Sequence, residues 1–469
     1  MIGVKNIKNT LLKKNTGVFA AVLFLAVASS VLVYAATNRT TLKLSISGST
    51  GVSQGSTLKG GTIAFGVTQQ PTPNPTPAPG YVPLAGYPNQ NGKGSIFSTL
   101  GAPDNIIAWS KSTNLLWNKK LPTTTPKAGN SDQLVKDLAD IAKNRKGGVS
   151  PGSFNPRGNA FNMIMVDSDR EEFRKVEFDC EGTGYSKMFG YWDKAEFEKM
   201  INTAYPGKYG VPIPKELKID NSYHGDWSLS IYDYKKDIYF TLWRTRSMNI
   251  TGLQNLKACW AGYILNYSKD ANTQVTVDQL KAKGFRDPNV QPGTVKTEAM
   301  GILPYPFGSN AAGLTDMGTN ILLEEVRRGK IEHAIGLTVP HLRRDNPNGW
   351  MFSYPANRND GDCPAKVGYV AVTSCPITGQ RLRLPANFDL NTVKDPYARM
   401  VAEAVRDYGF ILSDTAGCVC IRTESSHQLT LYGKPDFWDG SLGKDTYGAE
   451  SYFAFPWEKL ELMPVDWRH

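Results

Sequence analysis

An uncharged apolar run, Gly17–Ala36, follows sixteen residues that carry Lys5, Lys8, Lys13 and Lys14 and no acid. As a helix this run has no polar face to turn toward solvent, so an ordinary core position does not suit it. Its length of about twenty residues spans roughly 30 Å of hydrocarbon. A basic flank stays on the cytosolic side and directs the downstream chain across the membrane. The run closes on Val33-Tyr34-Ala35, a small-residue pattern that a signal peptidase accepts. A cleaved signal and a retained anchor helix therefore both fit residues 1–36. The rest of the chain is expected outside the cytoplasmic membrane, on the cell surface or secreted.

Cysteine usage points the same way. Cys180, Cys259, Cys363, Cys375, Cys418 and Cys420 are all the cysteines present, and in an exported chain they read as disulfides before catalytic thiols. Cys363 and Cys375 flank a short loop and are the expected pair. The other four allow three connectivities. A four-cysteine zinc site would want paired Cys-x-x-Cys knuckles, which are missing.

The formal charge of +10 suggests nucleic acid until it is located. Residues 1–95 hold eight of the 53 basic residues and none of the 43 acids, so the remaining body stands at +2. A nearly neutral body gives no footprint for a phosphate backbone. Nucleic acid is not an expected partner.

Beyond the apolar run, residues 37–70 are rich in Ser, Thr and Gly and read as a stalk or small β element. Residues 71–95 open on alternating prolines, Pro71 to Pro79, which favour extended polyproline II and make a semi-rigid spacer. The head, 96–469, admits a sub-boundary near 205. Its clearest unit is a hairpin: Trp227, Leu229 and Ile231 alternate with polar residues, Lys235-Lys236-Asp237 turns, and Ile238, Phe240 and Leu242 alternate again. Further strands are read at 258–265, 331–339, 350–354, 380–385, 410–413 and 418–423. Helices are read at 132–144 with Ser131 as cap, at 194–202, at 320–328, and at 396–408 between Asp395-Pro396 and Gly409. Many strands and few helices predict a mainly β head, a sandwich or jelly roll with peripheral helices.

The segments Val211-Pro-Ile-Pro214, Asp226 to Trp243, Ala312-Gly-Leu314, Gly329 to Ile335, Tyr354-Pro-Ala356 to Asp360-Gly361, Gly379 to Leu384 and Tyr408 to Asp414 succeed one another in this order. Together they resemble a family of secreted β-rich proteins of actinobacteria and related soil bacteria, over about residues 205–425. The resemblance implies no assigned activity. Some members are joined to carbohydrate-binding modules, which implies polysaccharide as substrate or ligand. Where relatives show Asp-Gly-His before the first hairpin strand, this chain has His224-Gly225-Asp226. The acid they place in the second strand falls at Thr241, so a catalytic role for that acid would be lost here.

Candidate chemistry gathers on few residues. His333, read on a strand face with Ile331 and Ile335, is an acid–base or metal-ligand candidate, although a histidine on an apolar face more often anchors a neighbouring loop. His224 and Asp226 enter a strand from a loop and suit an acid–base pair, or a turn cap. Trp227, Trp243, Trp260 and Trp350 are the rings available to pack on sugar faces, with one or two expected exposed. Arg381 or Arg383 is suited to a sugar carboxylate. Asp360 and Asp362, in an Asn/Asp/Gly loop, offer oxygens to calcium, and no cofactor is required; an ordinary turn has the same composition. No Gly-x-Ser-x-Gly elbow, phosphate loop or His-Glu-x-x-His helix occurs. The leading expectation is a glycan lyase or hydrolase, or a binder of polysaccharide. A non-catalytic adhesive or structural envelope head is the alternative.

Overall fold

A computed structural model describes residues 93–144, 161–178, 194–217, 228–245, 256–269, 310–343, 352–356, 359, 361, 363, 375–434, 436–438 and 449–468. The apolar run, the stalk and the proline spacer lie outside these residues. Among the described residues no helix is long and apolar enough to cross a membrane.

In chain order the first strands are β1 (Asn162–Val166), β2 (Phe173–Arg174), β3 (Val176–Phe178), β4 (Val211–Pro212), β5 (Leu229–Asp233), β6 (Ile238–Trp243), β7 (Leu256–Ala258) and β8 (Trp260–Leu265). They are followed by β9 (Ile335–Val339), β10 (Arg381–Arg383), β11 (Phe410–Thr415), β12 (Cys420–Ile421) and β13 (Glu461–Leu462). The helices are α1 (Ser131–Asn144), α2 (Lys194–Ala204), the short α3 (Asp316–Thr319) and α4 (Leu323–Arg328), α5 (Pro396–Asp407), α6 (His427–Thr430) and α7 (Ala449–Ala454). One sheet runs β1-β5-β6-β8 and the other β12-β9-β11-β10-β13, with two further two-stranded pairs.

The expectation of a mainly β sandwich holds only in its coarser part. Strands fall into several small sheets, and helices share the burial, so the architecture is mixed α/β. Among the described strands three pairings are parallel: β1 with β5, β9 with β11, and β3 with β7. A parallel pair needs a long crossover, which short turns between sandwich strands cannot provide. Helices fill part of that chain here.

The hairpin forms as its alternation predicts, with Leu229 opposite Leu242 and Ile231 opposite Phe240. Asp237 turns at φ 55°. One face was expected to be buried; every residue of β5 and β6 is. Ile164, Leu229, Ile231, Phe240 and Leu242 pack with Phe197, Met200 and Ile201 of α2. On the other side Met163, Met165, Tyr232 and Tyr239 join Trp109, Trp117, Tyr267 and, from the second sheet, Ile411. Two hydroxyl pairs form in this layer: Ser230 Oγ and Tyr239 Oη lie 3.1 Å apart, and Tyr267 Oη lies 2.9 Å from Thr315 Oγ1. A second layer of protein covers what looked like a solvent face.

The second sheet packs Leu337, Leu382, Phe410, Leu412 and Ile421 against Leu134 and Leu138 of α1 and Val401 and Val405 of α5. Each such side chain contributes about 1.5–3 kcal/mol by leaving water. Helix α5 starts as read, with Asp395 accepting Ala398 N–H at 2.7 Å and proline in its first turn. Ser131, read as the cap of α1, instead accepts Leu462 N–H at 2.8 Å and ties α1 to β13. Gly409 takes φ +83°, and a Cβ there would stand 2.8 Å from the Leu382 carbonyl oxygen.

The expected pair Cys363–Cys375 is bonded, across twelve positions. Cys418 bonds Cys420, two positions away. Cys259 is disulfide-bonded as well; Cys180 lies outside the described residues.

Candidate functional site

His333 precedes its strand instead of riding on it, because β9 begins at Ile335. The change of register removes the shared face read from the sequence. The ring is 3% exposed and both nitrogens are engaged. Nδ1 lies 2.8 Å from the Ala334 carbonyl, and Nε2 lies 3.0 Å from Oε2 of Glu325 on α4. The same carboxylate oxygen accepts Leu322 N–H at 2.9 Å, closing the first turn of α4. Burial pulls the imidazole pKa down, but the Glu325 charge, its hydrogen bond and the Ala334 carbonyl outweigh it and leave it raised. The geometry is that of a hydrogen-bonded His–Glu pair that ties α4 to the start of β9.

Arg381 and Arg383 on β10 are 1% and 2% exposed. Arg383 donates to Leu384 O at 2.9 Å, Pro122 O at 2.6 Å and Arg406 O at 2.7 Å. Arg381 donates to Tyr408 O at 3.1 Å and Leu116 O at 3.5 Å, and its Nε has no hydrogen-bond partner among the described residues. Burial pushes its pKa down to about 10. Both guanidinium groups donate to main-chain carbonyls, most of them distant in sequence.

Trp243 is covered, 7% exposed, with the Arg244 guanidinium carbon 4.8 Å from its ring centre. The side chain of Trp260 is not among those described. His224, Asp226, Trp227, Trp350, Asp360 and Asp362 lie outside the described residues. Among the described residues no group of three or more His, Cys, Asp or Glu is placed to hold a metal ion.

The residues that sequence reading missed form a clasp. Glu424, after β12, is fully buried and accepts Ser98 Oγ–H at 2.8 Å, Thr99 N–H at 2.6 Å, Leu323 N–H at 3.0 Å and the Thr99 hydroxyl. Burial raises its carboxyl pKa to about 7, against the pull of those four donors. Next to it Glu324 accepts Gly101 N–H at 2.8 Å and pairs with Arg327 and Arg328 at 2.6 Å each. The segment 98–101 is thus held by two carboxylates from far along the chain. Nothing in a lone Thr423-Glu424 pair signals this, since its partners are 101 to 326 positions away.

Two surface features stand apart from these buried groups. Tyr209 is 82% exposed on a turn between Gly207 and Gly210, both at positive φ. A shallow, mostly apolar dent lies beyond the C-terminal end of β9, with His341, Asp137, Leu138 and Cys375 among its walls.

No family model matches the chain, and neither a curated protein nor a solved structure does.

Proposed function

We propose that this chain is an exported cell-surface protein whose folded part binds polysaccharide without cleaving it. The observation that carries this reading is the fate of the described acid–base and sugar-carboxylate candidates. His333 has both nitrogens occupied inside the fold, and Arg381 and Arg383 direct their donors to main-chain carbonyls. General acid–base work needs a group within hydrogen-bond reach of substrate, and these three have none of that access. Thr241, where the family that the sequence resembles would place an acid, is fully buried on β6. The exposed ring of Tyr209 supports binding, since sugar C–H faces pack on aromatic faces and isolated solvent-facing rings are the groups free to offer one.

Export is supported by the basic-flanked apolar run and by the bonded Cys363–Cys375 pair, disulfides being rare in reducing compartments. The proline spacer would carry the head away from a membrane to which an uncleaved N-terminal helix attaches it. Calcium, if it is bound, belongs to the Asp360–Asp362 loop, and the binding reading requires no cofactor.

A glycan array and a product-release assay on the full-length protein test the proposal. Retention on one glycan class without new reducing or unsaturated ends is expected, and Tyr209→Ala should weaken it about tenfold. Release of products, abolished by His333→Ala at an unchanged melting temperature, would refute the non-catalytic reading.

A further inference from the structure

We propose that the Cys418–Cys420 disulfide is a thiol–disulfide exchange site that oxidises an external dithiol, while Cys363–Cys375 stays closed. The two bonds differ in the access and the loop length that govern exchange. Cys363 and Cys375 are buried, 6% and 2% exposed, and close a loop of twelve positions. Cys418 is partly exposed and follows exposed Gly417, around which the space is open; Cys420 is buried. Attack needs access to one of the two cysteines, and Cys418 is the one that reaches the surface.

The main chain at this site is held without the sulfur bridge. Tyr452 Oη donates to Val419 O at 2.7 Å, and Val419 is fully buried in the core. Cys420 pairs with Thr338 in β12/β9, and Thr338 Oγ1 donates to Cys420 O at 3.2 Å. A bridge across two positions also removes the least loop entropy from the unfolded chain. Opening it therefore leaves Cys420 and the adjoining Val419 fixed, with Cys418 one residue away for re-closure, as an exchange site requires.

In the step, a substrate thiolate attacks Cys418 Sγ. The S–S bond breaks and its electron pair leaves on Cys420 Sγ, which takes up a proton. The second substrate thiolate then attacks its own partner sulfur in the mixed disulfide and releases Cys418 as thiolate, which takes up the second of the two protons the dithiol gave up on ionising. The dithiol loses two electrons and two protons, and the cysteine pair gains them. The substrate class is a dithiol, small or carried on an exported polypeptide.

The test is mild reduction of the full-length native protein with dithiothreitol, followed by alkylation and mass spectrometry of each pair. Cys418–Cys420 should open at least about tenfold faster than Cys363–Cys375 with the near-UV spectrum unchanged, and each opening should yield one equivalent of oxidised dithiothreitol. In Cys420→Ser, glutathione disulfide should form a stable mixed disulfide at Cys418; in Cys418→Ser, none should form at Cys420. Equal opening rates, opening only on unfolding, or absence of the Cys418 adduct would overturn the proposal.

Discussion

Glu424 and Glu324 are both sealed from solvent, both reach the segment 98–101, and differ in what surrounds the charge. Among the described residues Glu424 is met by neutral donors, two hydroxyls and two backbone amides. Glu324 is met by one amide and two guanidinium groups, whose side chains are 13% and 27% exposed. Neutral dipoles do not repay the full cost of removing a carboxylate from water, so Glu424 is a proton-holding group near neutrality. The pair teaches that equal burial can be compensated in two ways, by neutral dipoles at Glu424 and by ions at Glu324.

The largest expected effect comes from Glu424→Ala. Four buried donors lose their acceptor with no water to replace it, so urea unfolding should show a loss of about 4 kcal/mol. Next is pH. In the unfolded chain Glu424 releases its proton near the ordinary value of 4.5, in the fold near 7. Between these the native state keeps a proton the unfolded state has lost, so stability falls as pH rises through that window, by about 3 kcal/mol. His333 adds in the same direction: with its folded pKa raised above 6.5, its contribution is complete below 6.5 and is lost as pH climbs through the raised value. Urea titrations at successive pH values should show Glu424→Gln flattening the slope between 4.5 and 7 while leaving the histidine part that sets in above 6.5.

Glu324→Ala should cost less, about 2 kcal/mol, because Arg327 and Arg328 reach solvent once released. A loss equal to that of Glu424→Ala would mean that the guanidinium groups cannot rehydrate, and the contrast would collapse. The smallest effect is expected for Arg328→Met, about 0.5 kcal/mol, since Arg327 still holds the carboxylate. Thermal melts at low and high salt would show the difference, with Glu424 variants insensitive to salt and Arg328 variants sensitive.

Local pattern was legible in the elements with the plainest local signals. Helix α5 follows from Asp395, Pro396 and the apolar spacing through Val405, and the β5–β6 hairpin follows from alternation around Lys235-Lys236-Asp237. The bonded Cys363–Cys375 pair followed from its short loop. The same reading placed His333 on a strand it only precedes, because Ile331 and Ile335 are apolar whether the chain between them is extended or turned. Strand β1 escaped notice: Asn162–Val166 is an apolar run without alternation, buried on both faces beside β5. Among the candidate site residues, the buried positions of Arg381, Arg383 and Trp243 could not be separated from exposed ones, since strand periodicity assigns a face and not what covers it.

The order of residues alone determined the basic-flanked apolar run, the proline spacer, the near-neutral body and the strongest helix and hairpin, because each rests on neighbours within a few positions. Tertiary structure alone decided which strands lie parallel, that helices and a second sheet close both faces of β5 and β6, and that Glu424 meets Ser98 and Thr99. Those outcomes depend on contacts across tens to hundreds of positions. Their free energy comes from burial and from satisfying buried donors, neither of which a stretch of chain reveals before its partners arrive.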